Sequence, residues 1–394
     1  MRLTSSFSVF RFQPGEQDLG KPRWLAREGK ITAAEEEYRK ALGRNPDLYA
    51  GWLELFELLR RDGRSQEALA LADAAERHWG PDAAMPHTLR GAALVELGRI
   101  TDGLGALQRA IELDGALAIA WHEYGYASYR AGHPGEALLA LDRAFGLEPH
   151  TDTLMLRGRI LREGGRYDAA EVAFEAAGQA TDHDVPRRDA EREVLATHRA
   201  ASLGGRRPRD FTAREHWFVR DGGILLLAPG EAGALGDSMA RAVSALVALA
   251  KELVWRPAAV AGACADDRDL AETVAGMLGT PSLRASALDP ADVPLLVTVQ
   301  NDGREEWTKQ LDRLARWRSG CSFALLQRPD APNGADVAGV GADVSPDARD
   351  FTEALRRAPE VADAPAPEVL TLARHPLAAW RQRSAEPAPR DTRP

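Results

Sequence analysis

The sequence predicts an α-solenoid of helical hairpins followed by an α/β domain with a mainly parallel, Rossmann-like sheet. Three observations predict it: a glycine-and-alanine register that returns throughout the first half, the loss of that register near Arg206, and short apolar runs alternating with helix-like stretches beyond it. With 394 residues, 44% hydrophobic and 28% charged, the chain is too long for one ordinary core and suits two folded domains. The expected domains are 15–203 for the repeats with a capping helix and 210–380 for the α/β part, with a disordered polar tail at 384–394.

The register is carried by Gly29, Gly63, Gly98, Gly132 and Gly165, spaced by 34, 35, 34 and 33 residues. Five residues after each glycine stands a small residue: Ala34, Ala68, Gly103, Ala137 and Ala170. Seven further on stands an alanine: Ala41, Ala75, Ala110, Ala144 and Ala177. Positions seven apart share a helix face. Small residues there let two helices joined by a tight turn approach closely, where larger ones would overpack. Three before each alanine comes the residue that fills the remaining groove: Tyr38, Ala72, Leu107, Leu141 or Phe174. Each glycine suits the left-handed conformation that ends one helix and starts the turn.

This pattern resembles the tetratricopeptide repeat family. The fourth unit matches best, with Trp121, Tyr124, Gly125, Gly132, Ala137, Leu141, Ala144 and Pro149 at the patterned places and Ser128 where a tyrosine is expected. Trp52 opens the second unit in the same way, and Gly91, Gly125 and Gly158 supply the small contact in the first helix of the third, fourth and fifth. The units run 15–48, 49–82, 84–117, 118–151 and 151–184. In the first, Asp18 and Pro22 replace the expected aromatic and small residue, so its first helix is expected to be short or missing. Pro186 to Leu203 is expected to form the helix that caps the last apolar face.

The resemblance implies a superhelix whose concave groove, lined by the first helix of each hairpin, holds a peptide or partner helix. Mapped onto this sequence, the lining is Glu57 and Arg60 in the second unit, His122, Tyr126 and Tyr129 in the fourth, and Arg159 and Arg162 in the fifth. Two arginines three apart on a helix can together hold a carboxylate; the alternative is a solvated face with ion pairs to Glu163 or neighbours. The lysine and asparagine set with which some family members clamp a terminal carboxylate is not found.

Arg206, Arg207, Pro208 and Arg209 read as a linker. Beyond it, strands are expected at Ile224–Ala228, Ala258–Ala263, Leu295–Val299 and Ser322–Gln327, and helices at Ala240–Val254, Asp269–Leu278 and Glu305–Trp317. Ligands of such sheets sit beyond the carboxyl ends of the strands, which selects the loops Pro229–Asp237, Cys264–Arg268 and Gln300–Arg304. The first, with Gly230, Gly233 and Gly236, is a candidate phosphate loop, since backbone amides at a helix start attract anions. Its spacing fits neither the dinucleotide fingerprint nor the P-loop. Asp266, Asp267 and Asp269 suit either a divalent cation or a helix cap. Ala258–Pro281 and Leu295–Gln327 resemble a phosphoribosyltransferase core in topology. Where that family has paired acids, threonines and a glycine, this chain has Thr298, Val299, Gln300, Asn301, Asp302 and Gly303.

A net charge of -9 gives no basic footprint for nucleic acid. Two cysteines, Cys264 and Cys321, form neither a disulfide framework nor a zinc motif. Met1–Gly15 lacks the apolar core of a signal peptide, and the longest apolar stretch, Ala242–Val254, is interrupted by Ser244, Lys251 and Glu252. The expectation is a cytoplasmic scaffold or adaptor that binds a partner protein or peptide, with no cofactor, metal, nucleic acid or membrane. One alternative is an enzyme or sensor whose α/β domain binds a nucleotide or phosphorylated small molecule; another is assembly into a homo-oligomer.

Overall fold

The computed structural model describes residues 16–378 apart from 229–230, 232, 290–292, 302, 318–319, 329–330, 332–333, 342–347, 362–363 and 376–377. The expected tail at 384–394 lies outside the described residues. The chain divides into two compact units, Met1–His198 and Arg199–Pro394.

The first unit is an array of antiparallel helical hairpins. A 3-10 turn, Glu16–Leu19, leads into a short α1 (Gly20–Arg27), which pairs with α2 (Ile31–Arg44). Then follow α3 (Tyr49–Arg61) with α4 (Ser65–Trp79), α5 (Ala84–Glu96) with α6 (Ile100–Leu113), α7 (Ala118–Arg130) with α8 (Pro134–Leu147), and α9 (Thr151–Glu163) with α10 (Tyr167–Gln179). The first helix of the first hairpin is shortened, as Asp18 and Pro22 foretell. Helix α11 (Asp184–Ser202) follows the fifth hairpin.

The five repeat glycines take φ from 72° to 84°, the left-handed region in which a side chain costs energy. The amide after each donates to the carbonyl five residues back: Lys30 to Leu25, Arg64 to Leu59, Arg99 to Leu94, His133 to Ser128 and Arg166 to Leu161. This is the Schellman closure of a helix end. The helices then meet at contact distance. A Cβ on Gly91 would lie 2.5 Å from Leu107, on Gly125 2.8 Å from Leu141, and on Gly158 2.6 Å from the Phe174 ring. Each glycine thus receives the groove-filling residue of its own hairpin. Trp52 and Trp121 tie the hairpins to the preceding turns by donating to the Pro46 and Gly115 carbonyls, at 2.8 and 3.0 Å.

The second unit is a six-stranded sheet, every pairing parallel among the described residues. Its strands are β1 (Ile224–Leu227), β2 (Val260–Gly262), β3 (Ser282–Arg284), β4 (Leu295–Asn301), β5 (Cys321–Gln327) and β6 (Val337–Gly341), in the order β1-β6-β5-β4-β2-β3. The four strands expected from apolar runs are present. The sequence reading missed β3, which is exposed and too short to show a run, and β6, which carries Gly339 and Gly341. Gly339 is required by packing, because a Cβ there would lie 2.6 Å from the Leu325 carbonyl.

Of the helices, α12 (Ala213–Asp221), α16 (Ala348–Arg357) and α17 (Pro367–Ala373) went unread, while α13 (Leu235–Glu252), α14 (Arg268–Leu278) and α15 (Glu305–Trp317) match expected segments. Helix α13 starts five residues earlier than expected, so Gly236 lies in its first turn rather than in the loop. Helices cover both faces of the sheet. Leu295, Val297, Phe323 and Leu325 pack in the core that includes Leu246 of α13 and Val274 of α14. The alternate residues Leu296 and Ala324 pack with Trp307 and Leu314 of α15. At one edge, Arg214 of α12 lies along β1 and donates to the carbonyls of Leu225 (3.1 Å) and Leu226 (2.9 Å). The expected linker is tied down too: Arg206 pairs with Glu215 and stacks on Phe211.

Gly158→Ala should destabilise the repeat unit by roughly 1–3 kcal/mol through overpacking against Phe174. Gly135→Ala, in α8 with open space around its Cβ position, should stabilise it by about 0.5–1 kcal/mol. Urea unfolding of the two variants beside the parent chain checks both signs.

Candidate functional site

In the repeat unit, the first helices of successive hairpins carry a charge cluster around the buried Glu123. Arg60 of α3 donates to Glu57 at 3.0 Å and to Glu123 of α7 at 3.3 Å, and approaches Glu96 of α5 to 4.0 Å. One guanidinium therefore links three hairpins. Glu123 is 5% exposed, and burial raises its pKa against the opposing pull of Arg60. Burial disfavours the charge on Arg60, yet Glu123 and Glu57 outweigh it and raise its pKa.

Sequence reasoning found Glu57 and Arg60 but missed Glu96 and Glu123. A signal for Glu123 existed, because Glu54 occupies the equivalent place two hairpins earlier on an otherwise apolar face. Glu54 is likewise buried, 2.6 Å from Arg23 and 2.9 Å from the Tyr38 hydroxyl that donates to it.

His122 packs beside this cluster, its Nδ1 3.0 Å from the Thr153 hydroxyl. Burial, then the nearby His150, push its pKa down to about 3, so it is a neutral imidazole at ordinary pH. His150 is buried and caps α9, Nδ1 accepting the Asp152 amide at 3.2 Å. Tyr129 donates to Glu163; burial and that carboxylate raise its pKa to about 12. Tyr126 accepts from Arg130 at 2.7 Å, and the Arg130 guanidinium lies 5.6 Å from its ring centre. Arg159 and Arg162 converge on a single carboxylate, Glu193 of α11, at 3.4 and 2.5 Å. Arg162 also lies 5.3 Å from the centre of the Phe174 ring.

In the α/β unit, the chain runs from β2 outward to β3 and returns to β4 on the other side of β2. That reversal makes the carboxyl ends of β2 and β4 the switch point where such sheets open a crevice. Here the place is filled by Asp267, 2% exposed. Its carboxylate accepts the Cys264 amide (3.0 Å) and thiol (3.1 Å), the Thr298 hydroxyl (3.2 Å) and the Val299 amide (2.8 Å). Gly262 permits the tight turn, since a Cβ there would sit 2.9 Å from that of Asp267. Burial, then Asp267, raise the Cys264 thiol to about 11, the opposite of nucleophile activation. Asp267 occupies the N-cap place of α14 without making the cap bond. Asp266 and Asp269 are exposed, so the three aspartates do not converge. Among the described residues no group of His, Cys, Asp and Glu is arranged to hold a metal.

The candidate phosphate loop has a similar occupant. Gly230 lies outside the described residues. Gly236 belongs to α13, and Gly233 has open space around it. Glu231 of this loop accepts the Ala228 amide at 3.1 Å and pairs with Arg214. Where the phosphoribosyltransferase resemblance implies a ligand-facing loop, Asn301 is buried and donates to Gln327 at 3.0 Å; Asp302 lies outside the described residues.

Stacked hairpins with glycine-closed turns and a lining of charged and aromatic side chains define a helical-repeat array. The tetratricopeptide repeat model matches residues 25–84, 53–118, 88–145 and 123–184. The first half of this chain is thus built of tetratricopeptide repeats. The fold is similar to that of the APC/C hetero-tetramer Cut9-Hcn1, with TM-score 0.39 and 18% identity over 47% of this chain and 36% of that one. It is similar to TTC0263, a thermophilic TPR protein of Thermus thermophilus, with TM-score 0.41 and 19% identity over 46% of this chain and 100% of that one. It is also similar to YrrB, described as a TPR protein with an unusual peptide-binding site, with TM-score 0.29 and 19% identity over 45% of this chain and 92% of that one. No curated protein matches the sequence. Among the described residues no helix is long and apolar enough to cross a membrane.

Because native His122 resists a proton that the unfolded chain accepts near pH 6.5, its contribution to stability is lost as pH falls from about 6.5 toward 3. His122→Asn should flatten that part of the curve, read by chemical denaturation of both chains from pH 7 to 4. Asp267→Asn should lower the Cys264 pKa and speed its alkylation several-fold at pH 8, timed by iodoacetamide labelling and mass spectrometry.

Proposed function

We propose that this protein is a scaffold or adaptor whose repeat array takes a partner protein or peptide along the face formed by the first helices. The observation that carries the reading is the row of charged and aromatic side chains that successive hairpins present: Glu57, Arg60 and Glu96, then His122, Tyr126 and Tyr129, then Arg159 and Arg162. Half-buried tyrosines offer rigid contact area at low entropic cost. The charges set register, and their internal pairing means that a partner exchanges ion pairs rather than meeting bare charge.

The α/β unit supports a binding role over phosphoryl chemistry. At the carboxyl ends of β1 and β2 a carboxylate of the chain already accepts backbone amides: Glu231 that of Ala228, and Asp267 those of Cys264 and Val299. An anion brought to either end would meet a like charge. The cytoplasmic placement and the domain limits 15–203 and 210–380 belong to the same proposal.

Affinity capture with the full chain, beside Tyr126→Ala with Tyr129→Ala, tests the reading. A protein retained by the parent and lost at least about tenfold with the double variant supports it, hot spots at such grooves being aromatic. Equal retention by both, with the variant folded, refutes the groove assignment.

A further inference from the structure

Helix α11 joins the fifth hairpin through little apolar surface. Of its residues up to His198, only Ala190, Ala196 and Thr197 are buried, with Val194 partly so, while Val185 and Leu195 are 38% and 49% exposed. Up to His198 its remaining attachments are polar. Glu193 sits on Arg159 and Arg162, Arg162 donates also to the Glu193 carbonyl at 3.4 Å, and Glu171 lies 2.7 Å from His198. Thr197 is satisfied inside the helix, donating to the Glu193 carbonyl at 2.7 Å.

Glu193 is in effect a helix-borne ligand already seated on the two arginines. We infer that this end of the groove receives an acidic helical segment of a partner, and that α11 is its displaceable placeholder. The inference rests on the groove reading above and names the chemistry of the partner. Two guanidiniums share one carboxylate here, so a segment offering one acid to each, three or four residues apart on its helix, gives each arginine a carboxylate of its own. The internal helix competes at high effective concentration, which sets the selection for such a doubly acidic segment. Release of 184–198 frees Ala190, Val194 and Ala196 from their contacts, a modest apolar area.

The test uses the full chain, with amide hydrogen exchange followed over 184–198 and a synthetic peptide of residues 184–198 as the probe. At millimolar peptide, exchange of the chain's own segment should rise about threefold or more as the probe takes the seat. The same peptide carrying Glu193→Gln should leave it unchanged. In the chain itself, Glu193→Gln should speed exchange over 184–198 by about tenfold while α7 and α8 keep their protection, since a charge-assisted pair has been removed. Equal acceleration by both peptides, or by neither, overturns the inference. The readout needs no cellular partner, so its failure leaves the groove assignment standing and the failure of partner capture leaves this result readable.

Discussion

The repeat half depends on one steric constraint: the first helix of a hairpin must offer no side chain where the second inserts its largest. Gly91, Gly125 and Gly158 meet Leu107, Leu141 and Phe174 at distances where even a methyl group would clash. With the helices that close, the alanines at 110, 144 and 177 are buried, and the left-handed glycine sets the turn. Stacking follows, because each hairpin has apolar faces that only its neighbours can cover. The row of charged and aromatic side chains on the first helices is a by-product of this packing. Helices held in rows bring side chains of different hairpins within reach, so Arg60 reaches across α5 to Glu123.

The two halves handle polar groups differently. In the repeats, charges gather on the face formed by the first helices and pair between hairpins, as Arg60 and Glu193 show. In the α/β unit, buried polar groups close the loops at the strand ends. Asp267 binds two amides, a thiol and a hydroxyl at the switch point, which fixes the β2–α14 turn against β4. Ser322 and Asp336 make a comparable internal pair at 2.7 Å near the other ends of β5 and β6.

The repeats were legible because their rule is periodic: the same small residue at the same register, five times, is hard to produce otherwise. The hairpin helices, their glycine turns and the helix after the fifth hairpin could be read directly. The α/β unit was legible only where a strand is a continuous apolar run, as at Ile224–Leu227 and Leu295–Asn301. Strand β3 has three residues and two exposed side chains, while β6 carries two glycines demanded by its neighbours, and neither feature shows in local composition. The groove lining was named from register, but its pairing was not, since Arg60 with Glu123 is 63 residues apart in sequence. Nor could sequence show that Arg159 and Arg162 share Glu193. Asp267 read as a cation ligand or a helix cap, from its acidic neighbours and its place before a helix; only the fold brings Val299 and Thr298 to its carboxylate.

Arg214 along β1 gives the sheet an unequal pair of borders. Its guanidinium engages carbonyls on one outer strand, whereas β3 at the opposite border is short and exposed. Head-to-tail polymerisation through strand pairing requires two receptive borders, one on each copy. With the β1 border occupied in part by Arg214, strand addition is favoured at β3, and β3 against β3 is a contact related by a two-fold axis that closes after two chains. A single arginine side chain thus biases which border of this sheet is open to a further strand.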